Sequence, residues 1–284
     1  MAIDKPLSTN IQPASAKLAQ FGDTLLDLLI IAYRPKSPEI IALNNSISNL
    51  PANIRFSVAV NSAQSTLNSS LDHLLAQAHI VQLNTENLGY GRAANRLFNS
   101  LSHPAPWLAV LNTDLHWQPG SFENLLCWLL DHPEVVAAAP QILSPSGQIE
   151  RLTKLDPSLL SLFSRRFVPQ CLKPNWLCEL DNRFLMMDYD INSIYDVPYL
   201  SGCALFVRSS AYKDVGGFDP AYFLYLEDAD LTRRLRSLGR CVHLPVAQIT
   251  HGWGRGSHRS LWLTLVNLWS AVIYFRRWGL KLWN

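Results

Sequence analysis

The sequence predicts an α/β fold with a mostly parallel central sheet and helices on both faces. Two observations support that prediction, and a third bears on what its turns bind. Short apolar runs fall at residues 25–32, 56–60, 79–83 and 107–111. Segments with apolar residues at helical spacing, 40–50, 67–78 and 91–101, lie between them, and strands alternating with helices in this way form βαβ units. Third, neither GxGxxG nor GxxxxGK(S/T) occurs, so the turns of this sheet carry neither a dinucleotide fingerprint nor a P-loop.

Taken in order, residues 1–24 are rich in Ser, Pro, Ala and Gln without periodicity and are expected to form a disordered leader. Residues 25–32, LLDLLIIA, make a nearly continuous apolar run suited to a strand covered on both faces. Ile40, Ile41, Leu43, Ile47 and Leu50 then outline a helix, 56–60 a second strand, 67–78 a helix, 79–83 a third strand, 91–101 a helix and 107–111 a fourth strand. Residues 153–195, with Pro157, Pro169 and Pro174 among Arg165, Arg166, Lys173 and Trp176, read either as a lid or acceptor loop or as a passive helical excursion. Residues 197–207 restore an apolar strand, in which Gly202 permits close backbone approach. After 216–240 comes a short strand at 242–244, and 261–283 is an apolar, aromatic tail.

Composition narrows the function. The 284 residues are 48% hydrophobic, enough for a substantial core. The formal charge of +2 is too mild for bulk nucleic-acid binding, so no nucleic-acid partner is expected. Cys127, Cys171, Cys178, Cys203 and Cys241 are odd in number and contain no CxxC pair. They read as free thiols of a reducing compartment, which points to the cytoplasm.

Open α/β sheets bind ligands at the carboxyl ends of their strands. The residues there are Tyr33 and Arg34, then Asn61 and Ser62, then 84–91, then Asn112, Thr113 and Asp114. Asp114 reads either as a turn residue ahead of Pro119-Gly120 or as a hard oxygen ligand for a divalent cation. A second acidic cluster, Glu227, Asp228 and Asp230, follows the run 222–226 and opens a segment whose Leu231, Leu235 and Leu238 recur at helical spacing. Acids at a helix start also satisfy its free amides and dipole, so this pattern alone does not name a catalyst.

In their order, the motifs IIAYRP, NLGYGRAAN at 87–95, LNTD at 111–114, SGCALFVR at 201–208, GGFDPAYFLYLEDADLTRRL and His251 in Gly-rich sequence resemble the family 2 glycosyltransferases, and most closely their rhamnosyltransferase-like branch. The resemblance runs from about Leu25 onward. It implies the GT-A fold, a Rossmann-like sheet with helices on both faces plus a C-terminal helical tail. It divides the chain into a domain at 25–257, with a nucleotide-sugar half at 25–115 and an acceptor half at 116–257, and a C-terminal amphipathic helix at 258–284. It implies an inverting, metal-dependent hexosyltransferase that moves a sugar from a nucleoside-diphosphate donor, dTDP-rhamnose being the leading expectation. The acceptor would be a hydroxyl of a glycan or lipid-linked saccharide in bacterial surface polysaccharide (O-antigen) synthesis.

The resemblance also assigns residues. Asp114 of the DxD-type motif, with Asn112 in place of its first acid, and His251 would hold Mg²⁺ or Mn²⁺. Asp228 is the expected base, and Glu227, Asp230 and Gly202 would support it or face the acceptor, with Arg233 and Arg234 as helix partners for the acids. Tyr33, Arg34, Asn61, Asn87, Gly89, Arg92, Asn95, Asn112 and Thr113 are expected on the donor. Family members usually carry an Asp in the turn where this chain has Val60, which leaves the base preference open. Two rival readings are a sugar nucleotidylyltransferase, whose Gly-rich loop is replaced here by AYRPKS, and a non-catalytic GT-A-fold scaffold at the membrane. The tail carries four tryptophans beside Arg276, Arg277 and Lys281, and its uninterrupted apolar portion falls short of the roughly 20 residues needed to span a bilayer. It reads as an interfacial helix, peripheral on the cytoplasmic face of the inner membrane, or as a helix packed on the domain or on a homodimer partner.

Overall fold

Leu26, Leu28, Ile30 and Ala32 point to one side of the sheet and Leu29 and Ile31 to the other, and both rows are buried in separate apolar clusters. Period-two alternation with both faces covered is what an unbroken apolar run encodes. The computed structural model describes residues 14, 18, 23–62, 69–252 and 260–283. The first half runs β1 (Leu26–Ala32), α1 (Ser37–Ile47), β2 (Ile54–Val60), α2 (Ser69–Gln77), β3 (Val81–Leu83), α3 (Tyr90–Asn99) and β4 (Trp107–Asn112). The second runs β5 (Leu115–Trp117), α4 (Ser121–Asp131), β6 (Val135–Leu143), β7 (Ile149–Glu150), α5 (Leu159–Phe167), α6 (Asn175–Phe184), β8 (Tyr195–Asp196), β9 (Ala204–Arg208), α7 (Ser209–Asp214), α8 (Glu227–Leu235), β10 (Arg240–His251) and α9 (Leu261–Trp278).

The strand order is β3-β2-β1-β4-β9-β6-β10-β5, with β7 beside β6 and β8 beside β10. The first four strands are parallel, whereas β9 runs antiparallel between β4 and β6. That reversal brings the turn before β9 to the carboxyl end of β4, where the Asn112 amide donates to the Cys203 carbonyl at 3.1 Å. Helices α1, α2 and α4 cover one face, and α3, α7 and α8 the other.

Several expectations are corrected. The strand of 79–83 shortens to Val81–Leu83 and lies at the sheet edge. The apolar run 197–207 is not one strand: regular pairing starts at Ala204, because 201–203 turn toward α8. Leu231 and Leu235 are fully buried, but Leu238 lies beyond the end of α8 and is 47% exposed, so it anchors nothing. Within the expected leader, Leu18 is buried in the core. Residues 153–195 carry helices α5 and α6, packed together through Ser164, which donates to Asp181 at 2.8 Å. None of the described helices is long and apolar enough to cross a membrane.

Candidate active site

A cleft of about 480 Å³ opens at the carboxyl ends of β1, β2 and β4, the position that parallel strands with no further backbone continuation reserve for ligands. Its walls are Ile31 and Tyr33 after β1, Glu39 of α1, Asn61 after β2, Asn87, Gly89 and Tyr90 at the start of α3, and Asn112, Thr113 and Asp114 after β4. Phe223 and Leu224 before α8, with Ser260, Trp262 and Leu263 at the start of α9, complete it.

Asn61 organises one wall of the cleft. It is buried and its amide nitrogen donates to Asn87 Oδ1 at 2.9 Å and to the Gly89 carbonyl at 3.1 Å. Its Oδ1 accepts from the Leu88 amide at 3.0 Å and from Asn84 Nδ2 at 3.3 Å. Val60, in contrast, is buried in the core and presents no group to the cleft. Gly89 has φ +86°, and a Cβ there would lie 2.3 Å from the Phe223 carbonyl oxygen. Gly89→Ala should therefore cost about 3 kcal/mol or more, since both a left-handed backbone and a backbone clash must be absorbed. A thermal melt indistinguishable from the parent protein's would refute this.

Asp114 and His251 come together through strand register. Strands β10 and β5 pair antiparallel with His251 opposite Leu115, and the Gly252 amide donates to the Asp114 carbonyl at 2.6 Å. The result places His251 Nε2 3.2 Å from Asp114 Oδ2. On the other side of the ring, Glu150 Oε2 lies 3.7 Å from Nδ1. Burial opposes charge on this imidazole, but the Asp114 and Glu150 carboxylates outweigh it and raise its pKa. Among the described residues no set of three or more His, Cys, Asp or Glu side chains converges as a complete metal site. An oxygen and an imidazole nitrogen suit a hard divalent cation that takes its remaining ligands from phosphate and water, so the residues present fit Mg²⁺ or Mn²⁺. The Gly-rich sequence after Gly252 lies outside the described residues.

The acidic cluster opens α8 after two residues in left-handed backbone, Tyr225 at φ +70° and Leu226 at φ +62°. Such positions cost about 1–3 kcal/mol each and concentrate at functional sites. Asp228 is held on both oxygens: Oδ1 accepts from the Tyr199 hydroxyl at 3.0 Å and the Ala229 amide at 3.0 Å, and Oδ2 from the Gly202 amide at 2.8 Å. Gly202 is therefore a backbone donor. A Cβ on it would sit 3.2 Å from Asp228 Cβ, which explains why this turn carries glycine. Tyr90 links the carboxylate to the cleft, its hydroxyl donating to the Gly202 carbonyl at 2.7 Å. The head of half-buried Lys154 lies 4.3 Å over the Tyr199 ring.

Glu227 beside it is a different kind of acid. Burial first, and the Asp228 carboxylate second, push its carboxyl up to about 8, so at neutral pH it is largely protonated. A carboxyl whose folded pKa lies above its unfolded value subtracts stability progressively as pH rises from about 4.5 to about 8. Glu227→Gln should thus raise the melting temperature at pH 8 and leave it nearly unchanged at pH 5. A gain of equal size at both pH values would contradict this.

Two expected site residues do other work, and a third, Asp230, takes only the helix-partner role among those expected of it. Arg92 is exposed and donates to the Pro220 carbonyl at 2.6 Å, fastening α3 to the loop before α8 instead of lining the cleft. Asn95 is consumed by the turn at 217–218: its Oδ1 accepts from the Tyr212 hydroxyl and the Phe218 amide, and its Nδ2 donates to the Phe218 carbonyl. Asp230 has no exposed surface and accepts from Arg234 at 2.8 Å and from Trp278 Nε1 at 2.9 Å, so it anchors α8 and is shut off from any acceptor. Arg234 is the expected partner of an acid, whereas Arg233 donates to the Tyr274 hydroxyl. Tyr33 lines the cleft, and Arg34, exposed with φ +46°, lies over the Tyr33 ring.

The sequence did not single out Tyr90, Phe223, Trp262, Leu263, Tyr199 or Glu150 as site residues. Tyr90 and Phe223 sat inside quoted motifs, and the signal that could have raised them was an aromatic next to a glycine turn. Trp262 and Leu263 depend on how α9 folds back, which no local pattern encodes.

No family model matches the chain. It is 35% identical over 175 residues, 58% of its length, to the N-acetylglucosaminyl-diphospho-decaprenol L-rhamnosyltransferase of Mycobacterium tuberculosis. That alignment covers 56% of the relative, so the chain spans about half the length of the curated relatives it matches. Among solved structures it superposes on GalNAc-T7 with UDP, GalNAc and Mn²⁺ at a TM-score of 0.63 with 11% identity, over 91% of this chain and 48% of that one. It superposes on S. aureus TarS with UDP at 0.55 and 13% identity, over 87% and 64% of the two chains. For the mannosyltransferase PcManGT of Pyrobaculum calidifontis with GDP-Man and Mn²⁺ the values are 0.54 and 13%, over 84% and 59%. The chain has the GT-A fold that these glycosyltransferases share.

Proposed function

We propose that the protein is an inverting glycosyltransferase that moves L-rhamnose from dTDP-rhamnose to a hydroxyl of a glycan or lipid-linked saccharide in bacterial surface polysaccharide synthesis. The observation that supports this best is the meeting of Asp114 and His251, from opposite halves of the chain, at the edge of a cleft whose other wall is the Asn61–Asn87–Gly89 cradle. The rhamnosyltransferase relative named above supports the choice of sugar and of a lipid-linked acceptor, and the nucleotide-bound GT-A structures support a nucleoside-diphosphate donor.

In this reading the cradle receives the nucleotide, with Tyr33 against the base and Asn112 and Thr113 beside the diphosphate. Asp114 and His251 would hold Mg²⁺ or Mn²⁺, which neutralises charge on the departing diphosphate. Asp228 takes the proton of the acceptor hydroxyl as its oxygen bonds to the anomeric carbon from the face opposite the diphosphate. The carbon–oxygen bond to the diphosphate breaks, and the product carries inverted configuration. Tyr199 and the Gly202 amide fix the carboxylate, and protonated Glu227 adds no second charge beside it. The chemistry takes place in the cytoplasm, at the membrane face where a lipid-linked acceptor is reached. The test is release of dTDP from dTDP-rhamnose on addition of a GlcNAc-diphospho-lipid, with Mn²⁺ or Mg²⁺ present. Failure of that pair, with turnover of another nucleotide sugar, would overturn the donor assignment.

A further inference from the structure

Helix α9 is apolar on both sides. One side, Val266, Ser270 and Tyr274, is buried near Tyr222, Leu226 and Ala229. On the other, Leu261, Trp262, Leu265, Leu268, Trp269 and Val272 are 44–85% exposed. At 3.6 residues per turn these six fall within an arc of about 120°, with exposed Arg276 closing the same stripe at its C-terminal end. A helix that is apolar all round needs cover on both faces, and only the inner face has it among the described residues.

We propose that this outer face docks on an anionic lipid bilayer surface. Charge selects the occupant. No Asp or Glu occurs in residues 231–284, while Arg276 and Lys281 are exposed at the C-terminal end of the face. Tryptophans beside cations on an apolar stripe are the composition of an interfacial helix. A second copy of the chain is a poorer fit, because a two-fold contact brings the same face of both chains together and residues 261–283 offer no carboxylate to pair with Arg276 or Lys281. The surface is wider than one helix. Arg166 of α5 hydrogen-bonds Thr264, and the Leu159 amide donates to the Lys281 carbonyl at 2.8 Å. Helix α5 thus lies alongside and exposes its own row, Leu159, Phe163 and Phe167. Because Trp262 and Leu263 also line the cleft, docking puts the cleft mouth at the lipid surface. Delivery of a lipid-linked acceptor there rests on the transferase reading; the docking itself does not.

The test is flotation of the full chain with vesicles of phosphatidylcholine, with and without phosphatidylglycerol. Flotation with the anionic vesicles is expected, falling as salt rises, and Leu265→Glu/Trp269→Glu should lower bound protein by about tenfold or more. Arg276→Glu should weaken binding and flatten its salt dependence. An unchanged melting curve for each variant shows that the fold is retained. Absence of flotation by the parent protein, or unchanged flotation of the double variant, would overturn the proposal. So would a dimer in sedimentation velocity that Trp269→Glu dissociates. Release of nucleoside diphosphate with a water-soluble acceptor, unchanged in the double variant, separates the two readings: if the parent floats but never turns over donor, the chemistry is wrong and the docking stands.

Discussion

Asp228→Asn is expected to lower sugar transfer by about 10²–10⁴-fold, the usual contribution of a positioned general base, while donor affinity stays close to that of the parent. The two effects separate because Asp228 is not among the residues that line the cleft. It lies against Gly202, whose carbonyl accepts from Tyr90, and is held by three donors. An asparagine keeps the shape but sets an amide group against either the Gly202 N–H or the donors on Oδ1, so a loss of about 1–3 kcal/mol in stability accompanies it. Tyr199→Phe removes one orienting hydrogen bond and should cost less, with kcat reduced and KM for the donor unchanged. Measuring kcat and KM for both variants, with donor binding by calorimetry, decides the matter. Full turnover by Asp228→Asn would remove Asp228 from the mechanism.

Asp114→Ala and His251→Ala should each lower kcat/KM by about 10²-fold or more, since charge developing on the leaving diphosphate loses its fixed counter-charge. Activity alone would not show that metal binding is the cause. Titration of Mn²⁺ into the protein with nucleoside diphosphate, followed by electron paramagnetic resonance, should show weakened uptake in both variants. The pH dependence has a defined sign. A metal-binding imidazole must be neutral, and the Asp114 and Glu150 carboxylates raise the His251 pKa, so Mn²⁺ affinity should fall with decreasing pH, beginning above the ordinary histidine range. In Glu150→Gln that fall should move to lower pH. Mn²⁺ uptake independent of His251 would refute the assignment.

The βα alternation was legible because parallel strands buried on both faces are written as apolar runs, and β1 shows it even with Asp27 as its second residue. That acid is buried but paired with Arg55 and accepting from the Ala105 amide, so it does not break the strand. Motif order pointed to Asp114, His251, Asn87, Gly89 and Asp228, and the strand-end rule to Asn61, as residues of one region. What the sequence did not show was which polar residues face ligand and which face the protein. Arg92 and Asn95 share the first turns of α3 with Tyr90, yet the turn at 217–218 claims Asn95 and Pro220 claims Arg92. Both partners lie more than a hundred residues away in the chain, beyond any local pattern. Leu238 failed for the opposite reason: its spacing was helical, but α8 ended first.

Helix α9 does more than close one wall of the cleft. Its Ser270 hydroxyl donates to the Leu224 carbonyl at 2.8 Å, just ahead of the left-handed pair that opens α8, and the neighbouring Trp278 Nε1 bonds Asp230 within α8. A ligand in the cleft and a surface against the outer face of α9 therefore act on the same two helices. Thermodynamic linkage makes such coupling reciprocal: whatever factor lipid adds to donor affinity, donor must add to lipid affinity. If that factor differs from one, partitioning onto vesicles in the presence of nucleotide sugar reads it out with no turnover at all.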